Sequence, residues 1–451
     1  MSEKKKVGKS ELSRRDFMRS AAATGAGVLL ARGAMGQEAP AKKADDLNVA
    51  LIGAGSQGRV LIAACLNIPG VRFKAVCDIW DYSQTYAANI LKKFGHEVTA
   101  YQDYQDMLGK EQGLDAVIIA TPDWVHAEQT IACLKAGKHV YCEKEMSNDL
   151  EKAKQMILTA RETGKLLQIG HQRRSNPRYW HAKRLLEKDK ILGRVTQALG
   201  QWNRSVAQSQ DLGWPKKYTM DDAMLKKYGY DSMEQFRNWR WFRKYSGGSI
   251  ADLGSHQIDI FNWFLDAPPK SVLASGGLDY YKDREWYDTV MAIYQYAPPA
   301  GTVRAFYQVL NTTSYGGYYE AFMGDEGSLV VSEDTSVGYF FREVQAKRRE
   351  WEDDAEKVST MGKDAITLKI GETRKKTGKA DEKALKMEED AKKPIHQPHL
   401  ENFFAAVRDP KNVKLNCPGE IGYETAVTVL RVNQAVAEQK ALDFKPEEFK
   451  V

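Results

Sequence analysis

A glycine-rich turn between two apolar segments is the feature that most constrains the fold of this chain. The short apolar run from Val49 to Ile52 predicts a buried parallel strand, and it leads into Gly53-Ala54-Gly55-Ser56-Gln57-Gly58 before an apolar helical stretch resumes. The first glycine allows a tight turn, the second lets backbone amides approach a pyrophosphate, and the third brings helix and strand close together. The N-terminus of the helix would then present its positive dipole end to phosphates.

An acidic residue follows at the spacing that a dinucleotide-binding motif requires. The second predicted strand, from Val71 to Cys77, ends at Asp78, 20 residues after Gly58. A carboxylate there would hydrogen-bond the adenosine ribose 2′-OH and repel a 2′-phosphate, which favours NAD over NADP. The alternative is a glycine-rich loop without a ligand, and the strand, helix and acid in register argue against it. The predicted cofactor-binding residues of this motif are Gly53, Gly55, Ser56, Gln57, Gly58 and Asp78.

The first 36 residues have the order of segments found in an export signal. A lysine-rich start precedes Ser13-Arg14-Arg15-Asp16-Phe17 and a mildly apolar run, 21–31, that is too short to span a membrane. The paired arginines resemble a twin-arginine signal, and the small residues Ala34 and Gly36 predict cleavage after Gly36. We therefore expect export by the twin-arginine machinery to the periplasm or the extracellular space, and a short linker at 37–46.

Charge and cysteine content exclude several classes of protein. Residues 1–36 carry eight Lys or Arg and three Asp or Glu, so the total net charge of +6 leaves about +1 for the mature chain. We expect no nucleic-acid partner and no membrane span. The five cysteines are odd in number and lack CxxC spacing, so the sequence indicates neither a disulfide framework nor a zinc cluster.

Strand and helix patterns alternate from residue 47 to residue 170. Buried strands are predicted at 114–120, 139–142 and 166–169, each running into polar residues. The alternation predicts an α/β fold with a Rossmann-type, doubly wound parallel sheet, whose ligand site lies at the carboxyl ends of the strands. Candidate residues at those ends are Thr121, Pro122, Glu143 and Lys144 for the cofactor, and His171, Arg173 and Arg174 for the substrate, with a solvated or structural role as the alternative for the arginines.

The pattern changes beyond Asn176. Alternating stretches at 195–202, 289–296 and 302–310 predict an α/β domain with a large, mostly antiparallel open-faced sheet, and its open face favours a homo-oligomer. Residues 342–393 include 28 charged residues, which indicates a solvated insertion, partly helical or mobile. Helices are expected at about 399–408 and 420–439. Pro398 interrupts the helical spacing of two nearby histidines, so a turn is favoured there over a metal site, and no metal is predicted.

Four motifs together resemble one enzyme family. They are the glycine turn, Thr121-Pro122 followed by His126, Glu143-Lys144, and the segment 247–256, GGSIADLGSH. The combination resembles the Gfo/Idh/MocA family, which includes glucose-fructose oxidoreductase and inositol dehydrogenase. The resemblance implies a catalytic group of Lys144, Asp252 and His256, a place for His126 beside the cofactor, and C-terminal helices that return to the nucleotide domain. The chain departs from the family pattern at Glu145, where proline is usual, and this extra carboxylate is expected near the reacting carbon.

The residues of this group suit the oxidation of a secondary alcohol. Such a reaction needs the alcohol carbon held against the nicotinamide while a base takes the hydroxyl proton, and Lys144 is the expected base. Asp252, His256 and Asp259 are spaced so that a helix would place them on one face. His256 would exchange a proton, Asp252 would bind a substrate hydroxyl, and Asp259 would orient the imidazole. A surface lysine and a core histidine are the alternatives.

The expected function is therefore an exported, NAD-dependent oxidoreductase that acts on a secondary hydroxyl of a sugar, glycoside or polyol. One alternative is a glycoside hydrolase that oxidises its sugar transiently and eliminates the aglycone, and another is a non-catalytic sugar-binding protein. The expected division of the chain is a signal peptide at 1–36, a linker at 37–46, an NAD-binding domain at 47–170, a substrate and oligomerisation domain at 171–395 with the charged insertion at 342–393, and C-terminal helices at 396–451.

Overall fold

A computed structural model describes residues 45–205, 212–353, 355–360, 362–368 and 382–451. The predicted signal peptide and most of the linker lie outside the described residues. Within them the strands form two sheets, one of six strands and one of ten. None of the helices in these ranges combines the length and the apolar character that crossing a membrane requires.

The six-stranded sheet is parallel throughout and has the order β3-β2-β1-β4-β5-β6. Its central strands are short apolar runs buried on both faces, as a parallel sheet covered by helices requires. The prediction of a Rossmann-type sheet is therefore confirmed. The strands are β1 (Leu47–Ile52), β2 (Val71–Cys77), β3 (Thr99–Tyr101), β4 (Ala116–Ile119), β5 (His139–Cys142) and β6 (Leu167–Ile169). The helices between them are α1 (Ser56–Cys65), α2 (Asp81–Lys93), α3 (Tyr104–Lys110), α4 (Asp123–Lys135) and α5 (Leu150–Thr163).

The ten-stranded sheet is mostly antiparallel, as the sequence predicts. Its order is β14-β15-β13-β12-β11-β7-β10-β9-β8-β16, and β7 with β10 is its one parallel pair among the described strands. Outward side chains on β8 and β9 include the exposed Leu273, Met291 and Ile293, so one face is open. The strands are β7 (Val195–Asn203), β8 (Pro269–Gly277), β9 (Thr289–Tyr296), β10 (Val303–Leu310), β11 (Tyr318–Gly324), β12 (Gly327–Val331), β13 (Gly338–Arg342), β14 (Lys357–Thr360), β15 (Lys363–Thr367) and β16 (Leu442–Asp443).

The charged insertion differs from its prediction. Two strands of the segment expected to be solvated and partly helical, β14 and β15, pair with each other, and β15 continues the sheet beyond β13. Ala365 and Ile366 are buried there, which explains why so polar a segment is ordered at the sheet edge. Lysines in the edge strands also discourage pairing with another chain. A helix, α10 (Glu382–Asp390), agrees with the helical part of the prediction, while 369–381 lie outside the described residues.

The C-terminal helices join the two sheets. Helix α11 (Gln397–Arg408) buries Leu400, Phe403 and Phe404 in the core around β1 and α1. Helix α12 (Gly419–Glu438) packs against α5 and β6 on one side and against β8 of the second sheet on the other. The remaining helices are α6 (Pro177–Glu187), α7 (Asp222–Lys227), α8 (Met233–Arg237) and α9 (Ser255–Leu265).

Candidate active site

A cavity of about 600 Å³ opens at the carboxyl ends of β1, β2, β4 and β5. Its volume is within the range of small-molecule sites, and β1 lies where the strand order reverses, which is where ligands bind in sheets of this kind. Segments that follow β7 and precede α9 form the opposite wall. The predicted site residues that line it are Gly53, Gly55, Ser56, Gln57, Asp78, Thr121, Pro122, Glu143, Lys144, Asp252 and His256.

The glycine turn has the geometry that a pyrophosphate needs. Gly53 has a φ of +91°, and a Cβ on it would lie 2.6 Å from the carbonyl carbon of Ala120. A Cβ on Gly58 would lie 2.0 Å from the carbonyl oxygen of Gly53, so helix α1 approaches the turn as closely as predicted. In the part of the chain that the structure describes, a Cβ on Gly55 would in contrast meet no atom within 4 Å, and no side chain caps the N-terminus of α1. The turn therefore leaves backbone N–H groups free for an anion, and it fits a dinucleotide.

Asp78 fixes the turn as well as facing the cavity. Its carboxylate accepts hydrogen bonds from the backbone N–H groups of Ala54 (2.7 Å) and Trp80 (2.8 Å). Burial raises the pKa of Asp78 to about 6, against the lowering effect of these two bonds. A carboxylate accepts about four hydrogen bonds, so capacity remains for a ribose hydroxyl. Sequence reasoning missed Arg237, which lines the cavity and stacks 4.7 Å from the Trp80 ring.

A small polar cluster joins the glycine turn to the C-terminal helices. The side-chain amide of Gln57 donates to Glu143 (3.1 Å), and it lies 3.0 Å from Nε2 of His396. His396 immediately precedes α11 and lines the cavity. No local sequence pattern places His396 here, because the contact spans 339 positions along the chain.

The proposed base and the aspartate of the motif lie side by side. Lys144 Nζ donates to the backbone carbonyl of Asp252 and lies 3.7 Å from its carboxylate. Arg240 Nε and Arg204 Nη2 approach the same carboxylate at 3.0 and 3.6 Å. Burial alone would raise the pKa of Asp252, but Arg240, Lys144 and Arg204 outweigh it and hold the pKa well below its usual value. Asp252 is therefore ionised throughout the neutral range.

His256 faces the same cavity as a neutral imidazole. Burial, followed by the positive charges of Lys144 and Arg173, keeps its pKa well below the ordinary value of 6.5. Its Nδ1 is buried and has no hydrogen-bond partner among the described residues. The turn of π-helix at Ile250–Gly254 leads into α9 and places Asp252 and His256 against the cavity.

Three predicted site residues, His126, Arg174 and Asp259, lie behind the cavity wall instead of on it. The ring nitrogens of His126 lie 2.8 and 2.7 Å from the carbonyl oxygens of Glu145 and Thr121, so this histidine packs between two strand ends. Arg174 Nε donates to both carboxylate oxygens of Asp259 at 2.9 Å, and Thr425 donates to one of them. Asp259 therefore anchors α12 and Arg174, and the expectation that it orients the His256 imidazole was wrong.

Arg173 and His171 are also buried outside the lining. Arg173 is ion-paired with Glu320 and with Glu333, the latter at 2.9 Å from its Nε. Both ring nitrogens of His171 are buried without a partner in the described part of the chain, and burial lowers the pKa of His171 to about 4. In the segment after β6, the residue that lines the cavity is Gln172, which was not among the predicted site residues.

Glu145 also lies away from the cavity. Its side chain is 2% exposed, and one carboxylate oxygen accepts from the backbone N–H of Met146 at 3.0 Å. The other oxygen has no partner among the described residues. Burial raises the pKa of Glu145 to about 8. The expected extra carboxylate near the reacting carbon is therefore a buried acid next to Lys144 in sequence but not on the cavity wall.

The fold and the cavity define a two-sheet protein with a Rossmann-type dinucleotide site. Comparison with family models agrees: residues 47–171 match the oxidoreductase family model described as an NAD-binding Rossmann fold, and residues 179–330 match the GFO/IDH/MocA C-terminal domain. Together they span more than half of the chain, which therefore belongs to the GFO/IDH/MocA oxidoreductase family. Residues 11–31 match the twin-arginine translocation signal sequence, as predicted.

Curated relatives and solved structures extend this result. The chain is 27% identical to scyllo-inositol 2-dehydrogenase (NAD(+)) of Bacillus subtilis over 59% of its own length and 67% of the relative. It is 35% identical to 4-carboxy-2-hydroxymuconate-6-semialdehyde dehydrogenase of Sphingobium over 30% of this chain and 42% of that one. The chain thus spans between about two fifths and two thirds of these two relatives.

The similarity to solved structures establishes the fold. Levoglucosan dehydrogenase, solved with NADH, superposes with a TM-score of 0.64 at 19% identity, covering 89% of this chain and 99% of that one. The WlbA dehydrogenase from Bordetella pertussis, solved with NADH and UDP-GlcNAcA, gives the same TM-score at 19% identity, over 89% and 98% of the two chains.

Proposed function

We propose that this chain is an exported, NAD-dependent oxidoreductase that acts on a secondary hydroxyl of a sugar, glycoside or polyol. The observation that carries the proposal is the meeting of Lys144, Asp252 and His256 on the wall of a cavity whose other end is the glycine turn. These residues come from segments more than 100 positions apart, and only folding brings them together.

The side chains fit proton transfer from an alcohol. When bound, NAD supplies the acceptor for the hydride of the alcohol carbon. Lys144 Nζ takes the hydroxyl proton as an amine, and the Asp252 carbonyl and carboxylate hold the ammonium group that forms. The neutral imidazole of His256 hydrogen-bonds the same hydroxyl and fixes its direction. Asp252, which the sequence analysis gave to a substrate hydroxyl, acts here as a positioning residue.

The remaining cavity wall suits a carbohydrate ring. Trp202, Tyr318 and Trp239 line it, and the Trp202 and Tyr318 rings are stacked with centroids 4.6 Å apart. Aromatic faces pack against the C–H faces of sugars, while the polar side chains meet the hydroxyls. Relatives named inositol dehydrogenase and a neighbour named levoglucosan dehydrogenase support a polyol or sugar substrate.

The test is hydride exchange by the purified mature chain. A panel of inositols, free sugars and anhydrosugars is incubated with the enzyme and NAD, and absorbance at 340 nm is followed; the reverse reaction starts from the ketone and NADH. We expect exchange with at least one member. Differential scanning with each nucleotide accompanies the assay, because a chain stabilised equally or more by NADP would contradict the role of Asp78.

A further inference from the structure

Positive charge is in excess at the substrate end of the cavity, defined as Lys144, Trp202, Arg204, Arg240 and Asp252. Three cationic side chains there face the one carboxylate of Asp252. Glu143 precedes Lys144 in the chain, lines the cavity and accepts a hydrogen bond from Gln57. If the negative charge of Glu143 is counted as balancing that of Lys144, the two arginines still share the single carboxylate of Asp252.

The other acidic groups nearby do not balance this excess. Glu333 lines the cavity, but Arg173 and Gln172 hold its two oxygens at 2.9 and 3.0 Å. Asp123 lies behind the wall and accepts from the backbone N–H of Gly247. Burial raises the pKa of Asp123 to about 7, so it carries only part of a negative charge at neutral pH. Among the described residues, positive charge therefore remains in excess at this end of the cavity.

Arg204 is the arginine with unused hydrogen-bonding capacity. It follows β7 and lines the cavity. Its Nη2 lies 3.6 Å from the Asp252 carboxylate, which is beyond hydrogen-bond distance, and its Nε is buried with no hydrogen-bond partner in the described ranges. A guanidinium carries five N–H donors in a planar fork, and leaving buried donors unpaired is costly. A ligand with a planar, bidentate acceptor would satisfy them.

Aromatic rings border both arginines. The Arg204 guanidinium lies 5.8 Å from the Trp202 ring, and that of Arg240 lies 4.3 Å from the Trp239 ring. All four side chains line the cavity. A sugar ring on the aromatic faces would therefore bring a substituent at its edge to the guanidinium groups.

We propose that Arg204 and Arg240 recognise a carboxylate, and that the substrate of this site is a sugar acid, a uronate or an aldonate, instead of a neutral sugar. The inference rests on the proposed function and names its substrate class. Arginine forks match carboxylates in geometry and charge, and Asp252 holds Arg240 in place until the ligand arrives.

The first experiment measures the preference of the wild-type chain. Calorimetric titrations at low ionic strength, with NADH present, compare D-glucuronate with D-glucose and D-gluconate with D-glucitol. We expect the acid of at least one pair to bind about 10-fold or more tightly than its neutral partner, as a charge-assisted bidentate pair gives. Equal or tighter binding of the neutral partner in both pairs overturns the proposal. The proposal is also overturned if glucose 6-phosphate binds and neither of the two acids does.

The second experiment removes the guanidinium group of Arg204. Arg204→Leu should lower the ratio of acid to neutral affinity by about 10-fold, and Arg204→Lys should restore part of it because the charge returns without the fork. Arg243→Leu is the matched control, since this exposed arginine stacks on Trp286 and does not line the cavity. A ratio unchanged in Arg204→Leu overturns the assignment. Stabilisation of each variant by NAD checks that it is folded.

The two proposals fail differently. Hydride exchange with a neutral sugar but not with its acid overturns the sugar-acid inference alone and leaves the oxidoreductase in place. If no sugar, acid or polyol binds or supports hydride exchange, the oxidoreductase proposal and the sugar-acid proposal are both overturned.

Discussion

Lys144 is the residue on which the proposed chemistry depends. Its neighbour Asp252 keeps Arg240 and Arg204 as partners when the lysine is removed, so truncation leaves no isolated buried charge. We expect Lys144→Ala to lower turnover by about 10²–10⁴-fold, the usual contribution of a positioned acid or base, while NAD affinity changes little. Steady-state rates and nucleotide titration measure both. Lys152→Ala, an exposed lysine on α5, is the control, and wild-type turnover in Lys144→Ala would place the base elsewhere.

Glu145 gives a residue-scale prediction of pH dependence. Its pKa in the folded state is about 8, against an ordinary value of 4.5, because the side chain is buried. The folded chain therefore keeps a proton that the unfolded chain releases between those pH values, and the wild type loses stability as pH rises through this window, at ~1.4 kcal/mol per pKa unit in the limit. Glu145→Gln removes the ionisation, so its stability relative to wild type should increase from pH 5 to pH 8.

The measurement is the difference in melting temperature between Glu145→Gln and wild type across pH. Other buried acids such as Glu320, whose pKa burial raises to about 7, are present in both proteins and cancel in the difference. Glu151→Gln, at an exposed position, should give a flat difference. A flat difference for Glu145→Gln as well would mean that its carboxylate is ionised in the folded chain.

At the scale of the element, the two glycines Gly53 and Gly55 in the turn between β1 and α1 should have different roles, the first in thermal stability and the second in NAD binding. In Gly53→Ala the added Cβ would collide with the backbone of Ala120, and the positive φ at this position alone costs about 1–3 kcal/mol. The melting temperature of this variant should therefore fall even without a nucleotide. Gly55→Ala meets nothing within 4 Å and should melt like wild type, yet bind NAD more weakly because its methyl group points into the phosphate space. Thermal shifts with and without NAD test the pair, and equal effects of the two substitutions on both readouts would contradict the assignment.

The elements also show what the sequence can and cannot predict. Apolar runs and glycine spacing placed β1, α1 and Asp78 correctly, because these features are local. The strands β14 and β15 were missed, since their high charge hides the two buried residues that attach them to the sheet. Helical spacing predicted that Asp252, His256 and Asp259 share one face, but only the first two line the cavity, because Arg174 and Thr425 hold the Asp259 carboxylate behind the wall. Arg204 and His396 come from loops and Arg240 from a short 3-10 helix, and only the tertiary fold brings the three to the cavity.

At the scale of the whole molecule, the export signal constrains how the cofactor is used. The chain matches both a twin-arginine signal and an NAD-binding domain. The twin-arginine pathway in general exports proteins that are already folded, often with a cofactor bound. Free NAD is scarce outside the cytoplasm, so we propose that NAD is held tightly and reoxidised in place. The contact between His396, before α11, and Gln57 of the glycine turn gives the C-terminal helices a direct link to the cofactor end of the cavity.

The resident-cofactor argument predicts a particular pattern of products. One free sugar alone should give little net NADH, because each reduced cofactor stays bound until a second substrate reoxidises it. Turnover should appear with a sugar plus a carbonyl acceptor, or with a glycoside whose aglycone is eliminated after transient oxidation. Absorbance at 340 nm and aglycone release are followed together over aryl glycosides, free sugars and sugar acids. Aglycone release without accumulation of NADH would favour the hydrolase over the oxidoreductase, whereas steady NADH production from one sugar and added NAD would contradict a resident cofactor and leave an exchanging dehydrogenase.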